Sequence, residues 1–369
     1  MRSPVELDDV GFLDVPATGV QIGEQERAAV ERVMASGMLA QGSEVARFES
    51  EFSTHVAGRP CVAVNSGTSA LLLALLALEI GPGDEVVVPS FSFAATANAV
   101  ALTGALPVFA DIEPTYFCLD PSAVEAAVTP RTAAIMPVHL YGHPAAMAAI
   151  TDIAARHGLA VVEDAAQAHL AALDGRPVGT FGAAAAFSFY PTKNMTSGEG
   201  GMVVCADEAV ARTVRLLRNQ GMERRYENEI VGYNLRMTDL HAAIGRVQLD
   251  HLPERTAQRR RTAAFLGEGL AGTDLVLPQV APGADPVWHQ YTVRSRARDQ
   301  LTKRLADRGV GVGVYYPTPI HRLPAYALEL DLPVTERAAA EVLSLPVHTA
   351  LSDAQLDHVV AAVNRATAR

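Results

Sequence analysis

The chain has 369 residues, 49% of them hydrophobic and 19% charged, and 30 basic against 41 acidic side chains give a net charge of −11. This composition excludes a disordered chain, and the acidic balance gives no electrostatic support to nucleic-acid or anionic-membrane binding. Three cysteines, Cys61, Cys118 and Cys205, lie far apart in apolar stretches, which predicts buried free thiols rather than a disulfide framework or a zinc site.

The opening residues, MRSPVELDDVGF, lack the apolar segment of a signal peptide, so a cytoplasmic protein is expected. GEQERAAVERVMASG places Val30, Val33 and Met34 at helical spacing and stops at Gly37. SEVARFESEFSTHVAG predicts a second helix, opening at the capping residue Ser43 and ending at Gly58. CVAVN then reads as a strand, followed by a helix from Thr68. The longest apolar run, Ala70 to Leu78, falls far short of the roughly 20 residues that span a bilayer. DEVVVPS is a strand, TANAVALTG a helix, and PVFADI and AAIMPVH are strands. AAMAAITDIAARHG is a helix with a glycine stop, and LAVVEDA, AAAAFSF and GGMVVCAD are further strands. Short apolar strands alternating with helices predict an α/β fold, a mostly parallel sheet covered on both faces. From about Asp239 the character changes. TDLHAAIGRVQLDHLPERTAQRRRTAAFLGEGL reads as a long or broken arginine-rich helical region, with a break or kink expected at Pro253. After it come strand-like QYTVRS, a helix at 298–308, strand-like VGVGVYY and a helix from Ser352. The expected division is a large α/β domain over residues 1–245, then a connecting helix and a small α+β domain over residues 246–369.

In an open α/β sheet, ligands bind beyond the carboxyl ends of the strands, so the residues after each strand are the candidates. After CVAV comes NSGTSA, where small residues at a helix start expose backbone N–H groups and the helix dipole favours an anion. The same residues also suit a plain helix cap. After LAVV come Glu163 and Asp164. A carboxylate ending a buried strand needs a cationic partner. His169 is close, but no spaced set of His, Asp and Glu accompanies it, so no metal site is expected. After AAAAF come Ser188 and Lys193, the latter between an aromatic run and the glycines Gly198, Gly200 and Gly201. Most lysines are solvated, but one held in an apolar pocket loses its charge more readily and becomes a nucleophile. The glycines read as room for a bound group and a second subunit. A phosphate cradle, a buried carboxylate and a nucleophilic lysine at strand ends fit one cofactor, pyridoxal 5'-phosphate (PLP).

Taken in order, NSGTSALLLAL, VVVPSFSFAATANAV, MPVHLYGHPAAM, VVEDAAQAHLA, GTFGAAAAFSFYPTKNMTSGEGG, VGYNLRMTDLHAAIGRVQL and YYPTPIH resemble the sugar aminotransferases of the DegT/DnrJ/StrS family, over about residues 20–350. The resemblance implies the PLP-dependent transferase fold type I, the aspartate-aminotransferase fold. It implies that Lys193 holds PLP as a Schiff base, that Asp164 pairs with the pyridinium nitrogen, and that Gln167 hydrogen-bonds the phenolic oxygen. Phe93 would stack on the ring, and Gly67, Thr68 and Ser188 would bind the phosphate. Asn234 would reach that phosphate from the second subunit of a homodimer with shared sites. Tyr316 and His321 would lie where substrate binds.

The implied reaction moves an amino group from L-glutamate, or L-glutamine, to a nucleotide-linked keto sugar. Family members that act as dehydratases carry histidine in place of the lysine, so Lys193 favours transamination. TSGEGG resembles the version in enzymes that aminate 4-keto sugars and keto-inositols, whereas those for 3-keto sugars more often read like GALGDGG. A 4-keto sugar is therefore the expected acceptor, with a keto-inositol as the alternative. A PLP-binding regulatory protein is the alternative outside catalysis. No basic helix-turn-helix segment supports it, and the basic run at 254–261 suits a solvated helix face or a subunit contact. A dinucleotide-binding oxidoreductase would need a G-x-G-x-x-G after an early strand, which is missing.

Overall fold

A computed structural model describes residues 13–368; the opening MRSPVELDDVGF, with its signal-peptide reading, lies outside the described residues. The chain begins with α1 (Glu24–Ser36) and α2 (Ser43–Ser53). It then alternates through β1 (Cys61–Val64), α3 (Gly67–Ala77), β2 (Glu85–Pro89), α4 (Ala95–Thr103), β3 (Leu106–Ala110), α5 (Pro121–Ala127), β4 (Thr132–Ile135), α6 (Met147–His157) and β5 (Ala160–Asp164). A short hairpin, β6 (Ala172–Leu173) and β7 (Arg176–Pro177), leads to β8 (Ala184–Ser188), β9 (Gly201–Cys205) and α7 (Glu208–Arg218). Ser43 is the first residue of α2 rather than its cap, and the helix stops well before Gly58. Its cap comes from a distance: Asp239 Oδ1 accepts from the N–H groups of Gly42 and Val45 at 2.8 and 3.0 Å.

Seven strands make one sheet in the order β1-β9-β8-β5-β4-β2-β3. Only β9 runs antiparallel to its neighbours; the other pairings are parallel. Every residue of β1, β2, β8 and β9 is buried, as expected of a sheet covered on both faces. Helices α3 and α4 pack on one face, and α2 and the start of α8 on the other. The carboxyl ends of β1, β2, β5 and β8 therefore share one edge. β9 begins there with Gly201, which pairs with both Val64 and Ser188. A Cβ on Gly201 would sit 2.4 Å from the Ser66 carbonyl oxygen, and one on Gly200 would sit 2.3 Å from Met237 Cε. These two glycines serve close packing within the chain; they do not leave the spare room expected of them.

The remaining elements are α8 (Asp239–Leu270), β10 (Ala284–Asp285), β11 (Tyr291–Arg294), α9 (Arg298–Ala306), α10 (Pro333–Glu341), β12 (Val342–Leu345) and α11 (Asp353–Thr367). α8 is one continuous helix of 32 residues with Pro253 inside it, so the expected break is absent. Proline removes one helical hydrogen bond, but Leu249, Leu252 and Thr256 are buried on both sides of it and hold the helix in place. Its start packs on the sheet, while Ala263, Leu266 and Leu270 join a second core with β11, β12, α9, α11 and Val15. VGVGVYY does not form the expected strand. It makes single bridges only, Val15 to Val310 and Gly313 to Ser344; the chain bends at Tyr315, whose ring lies where a side chain on Gly313 would go. α5, α7, α10 and β12 were not anticipated, although Asp120 caps α5 ahead of Pro121. All three cysteines are free and buried. Among the described residues, no helix is long and apolar enough to cross a membrane.

Candidate active site

The shared edge of the sheet opens into a cavity of about 510 Å³. Gly67, Thr68, Phe93, Asp164, Gln167, Ser188, Lys193 and Tyr316 all line it; Asn234 and His321 do not. Residues drawn from the ends of β1, β2, β5 and β8 thus meet around one space.

Asp164 ends β5 and is buried. Its Oδ2 accepts from Thr96 Oγ1 at 2.8 Å and its Oδ1 from Ala166 N at 3.2 Å. Ser92 Oγ lies 2.9 Å from Thr96 Oγ1 and extends the chain of hydroxyls to the cavity wall. A carboxylate has about four acceptor sites, so two remain for a ligand. Burial raises its pKa, and the bonds from Thr96 and Ala166 with the charge of Lys193 offset this only in part. The preceding Glu163 shows the contrast. Strand alternation turns it to the opposite face, where it accepts from Gly179 N, Phe181 N and Gly182 N at 2.7–2.8 Å and faces His139 Nε2 at 3.1 Å. Burial pushes its pKa up, but these donors outweigh that and hold it below the ordinary value. Glu163 is satisfied by the fold; Asp164 has capacity left for a cation.

Lys193 is half-buried on the loop after β8. Burial brings its pKa down to about 8, with the Asp164 carboxylate opposing the shift. Ser66 caps α3 by accepting from Ser69 N at 3.1 Å. The cap expected in this segment is therefore Ser66, and the N–H groups of Gly67 and Thr68 that follow it have no intrahelical partner. A Cβ on Gly67 would lie 2.7 Å from Ser188 Cβ, so only glycine lets the helix start and the strand end meet. Gln167 Oε1 accepts from Tyr141 N at 2.7 Å, and its Nε2 donates to the Tyr316 hydroxyl at 3.1 Å. Phe93 is 59% exposed at the mouth, 6.0 Å from the Tyr316 ring.

These features fit PLP. The half-satisfied buried carboxylate suits a protonated ring nitrogen, the bare helix start beside Ser188 suits a phosphate, and the lysine of lowered pKa suits an aldehyde.

His321 lies outside this space. It is fully buried, with Nδ1 2.6 Å from Ser90 Oγ and Nε2 3.2 Å from Glu336. Both ring nitrogens are engaged, and the residue ties the turn after β2 to α10. Asn234 is exposed on a segment that also exposes Tyr226, Ile230, Val231 and Tyr233, and it does not reach its own chain's cavity. Sequence reading missed Thr96, which had a signal: a hydroxyl in the first turn after a strand-end loop. It also missed Tyr141, Asn194 and His289, whose roles depend on contacts between distant segments.

The lowered pKa of Lys193 has a direct readout. Lys193 and Lys303 are the only two lysines of the chain. Acetylation of Lys193 in the cofactor-free chain, read by peptide mass, should be half-maximal near pH 8 and fall about tenfold per pH unit below that, as the neutral amine is lost. A midpoint near the ordinary lysine value of about 10.4 would show that the cavity does not desolvate it.

The sequence pattern of the DegT/DnrJ/EryC1/StrS aminotransferase family matches residues 20–364. The erythromycin biosynthesis sensory transduction protein EryC1 of Saccharopolyspora erythraea is 47% identical, the match covering 96% of this chain and 98% of that protein. The dTDP-3-amino-3,4,6-trideoxy-alpha-D-glucose transaminase of Streptomyces venezuelae is 46% identical, covering 98% of this chain and 97% of its own. Among solved structures, S. venezuelae DesV in complex with a ketimine intermediate superposes with a TM-score of 0.91 at 46% identity, covering 93% of this chain and 94% of that one. The chain belongs to the DegT/DnrJ/EryC1/StrS aminotransferase family, with the α/β fold that these sugar aminotransferases share.

Proposed function

We propose that this chain, a PLP-dependent sugar aminotransferase by family, moves an amino group from L-glutamate or L-glutamine onto a keto sugar carried on a nucleotide. The observation that carries this reading is one cavity in which a lysine of lowered pKa faces an under-satisfied buried carboxylate beside a bare helix start. Asp164 supplies the anion for the ring nitrogen. The N–H groups of Gly67 and Thr68 and the hydroxyl of Ser188 supply donors for the phosphate. Phe93 offers an apolar face to the ring, and Gln167 Nε2 a donor for its phenolic oxygen.

When bound, PLP supplies an aldehyde for amines and a cationic ring that takes up the electron pair left when a proton leaves carbon. Asp164 would hold the proton on the ring nitrogen, because a buried carboxylate gains most from a facing cation. Lys193 Nζ is neutral in a sizeable fraction of molecules near pH 8. It would serve as the nucleophile toward the aldehyde and, as a free amine, would accept and return the proton of the substrate carbon. Phe93 and Tyr316 line the mouth. Tyr316 stands on the cavity wall where substrate would lie, whereas His321 is better read as support for the turn after β2. The second core supports reading residues 246–369 as the connecting helix and small domain, with Val15 joining it from the start of the chain.

The S. venezuelae transaminase is named for a dTDP-linked 3-amino sugar. That weighs toward a 3-keto acceptor, against the 4-keto preference drawn from TSGEGG. EryC1 is named for sensory transduction; the Lys193 and Asp164 arrangement favours catalysis over regulation here. dTDP-, UDP- and GDP-linked 3-keto and 4-keto sugars can each be given to the PLP-loaded chain with L-glutamate or L-glutamine. A mass change from keto to amino sugar is expected, fastest with a dTDP-linked 3-keto sugar, and slower by about 10²–10⁴-fold or more in Lys193→Ala. No conversion of any acceptor would contradict the proposal.

The exposed position of Asn234 supports its delivery to the phosphate of a second subunit in a homodimer. Lys193→Ala and Asn234→Ala chains, each inactive alone, should regain activity on mixing, because one site of each mixed dimer draws both residues intact. No recovery despite demonstrated subunit exchange would count against shared sites.

A further inference from the structure

Thr96 is the second residue of α4 and is fully buried. Its backbone N–H donates to Phe93 O at 3.2 Å, in the turn that leaves Phe93 exposed at the mouth. Its hydroxyl serves Asp164 of β5, 68 residues away in sequence, at 2.8 Å. The direction of this contact is fixed. An ionised carboxylate only accepts, so the one hydrogen of the Thr96 hydroxyl points to Asp164 Oδ2. Thr96 Oγ1 is then left to accept, and the hydrogen of Ser92 Oγ, 2.9 Å away, points to it. Both hydroxyl hydrogens are aimed at the carboxylate, and Ser92 presents only lone pairs to the cavity that it lines.

Two neighbouring carboxylates show what a donor does in this sheet. Glu163 has three backbone donors and His139, which hold its pKa below the ordinary value despite burial. Asp164 has one backbone donor and one hydroxyl, and burial keeps its pKa above the ordinary value. With fewer donors than Glu163, Asp164 depends on each one it has. A pyridine-type nitrogen and a carboxylate facing each other compete for one proton. Burial favours the uncharged pair, a carboxylic acid beside a neutral ring, whereas each donor to the carboxylate favours the ion pair. Only the ion pair makes the ring an electron sink.

We propose that Thr96 is a positioning residue for Asp164: its hydroxyl, backed by Ser92, decides on which side of the pair formed by Asp164 and the ring nitrogen the proton rests. The inference rests on the reading of Asp164 as the partner of that nitrogen. The titratable groups that face Asp164 are Lys193 after β8, His139 after β4 and Tyr316 across the cavity. All are retained in the test.

Thr96→Val deletes the hydroxyl at nearly constant shape, Thr96→Ala deletes it without a branched side chain, and Thr96→Ser keeps it. In the cofactor-free chain with carbon-13 carboxyl-labelled aspartate, the Asp164 signal is identified by its loss in Asp164→Asn. Its pH midpoint is expected to rise by about one unit or more in Thr96→Val and in Thr96→Ala, because the charged form loses a donor. It should stay near wild type in Thr96→Ser. Ser92→Ala should raise it less, because Thr96 donates more weakly without a donor behind it. In the loaded chain, PLP labelled with nitrogen-15 in the ring should show a protonated nitrogen in wild type and Thr96→Ser. In the two hydroxyl-deleting variants its shift should move toward that of a neutral pyridine. Either of these variants is sufficient. An unmoved midpoint and ring nitrogen after loss of the hydroxyl would overturn the proposal, as would an equal movement in Thr96→Ser. No rise in Ser92→Ala would remove Ser92 from it. The failures are distinguishable. A wild-type chain that takes up no PLP refutes the cofactor reading, and a neutral ring nitrogen in wild type refutes its pairing with Asp164. A protonated nitrogen that is indifferent to Thr96 refutes only this inference.

Discussion

A carboxylate sealed at the end of a strand is the constraint around which the site is arranged. Removing an ion from water costs several kcal/mol even after relaxation, and Asp164 recovers part of that from one hydroxyl and one backbone N–H. Glu163, one residue earlier on the same strand, shows that this fold can satisfy a buried carboxylate fully, with three backbone donors and a histidine. Incomplete satisfaction at Asp164 is therefore a property of the side of the sheet that it faces, where the cavity leaves room for a further donor.

The same cavity acts on Lys193 with the opposite sign. Desolvation disfavours whichever form is charged, so it raises the carboxyl pKa and lowers that of the amine. Each group partly restores the other through space, and neither effect is complete. A ring with a cationic nitrogen at one end and an aldehyde at the other would meet both needs at once. The helix start at Gly67 and Thr68 adds the third requirement, donors for a dianion, and Gly67 is a glycine because Ser188 occupies the space a side chain would take.

The chemistry was legible in the sequence because it sits at strand ends, and strand ends are marked locally. CVAV before NSGTSA, LAVV before Asp164 and AAAAF before Ser188 each announce an apolar strand and the polar residue that follows it. Parallel pairing then brings those ends together whatever the crossover lengths. The second half of the chain was harder. VGVGVYY has the composition of a strand but makes only isolated bridges before it bends at Tyr315, and Pro253 sits inside a helix because buried neighbours outweigh one lost hydrogen bond. His321, next to a turn expected at the substrate, is consumed by Ser90 and Glu336. Nothing near WHQYTV in the sequence shows that His289 meets Asn194, because that contact spans some 95 residues and exists only once α8 has carried the chain back over the sheet.

The central claim is that burial beside Asp164 makes Lys193 the residue that captures the cofactor. The most direct measurement is to mix the purified chain with PLP, reduce with borohydride, digest it and locate the pyridoxyl group by mass. With two lysines in the chain the answer is unambiguous. The account predicts the label on Lys193, with Lys303 unmodified at equimolar PLP. Label on Lys303, or on neither lysine, would contradict it.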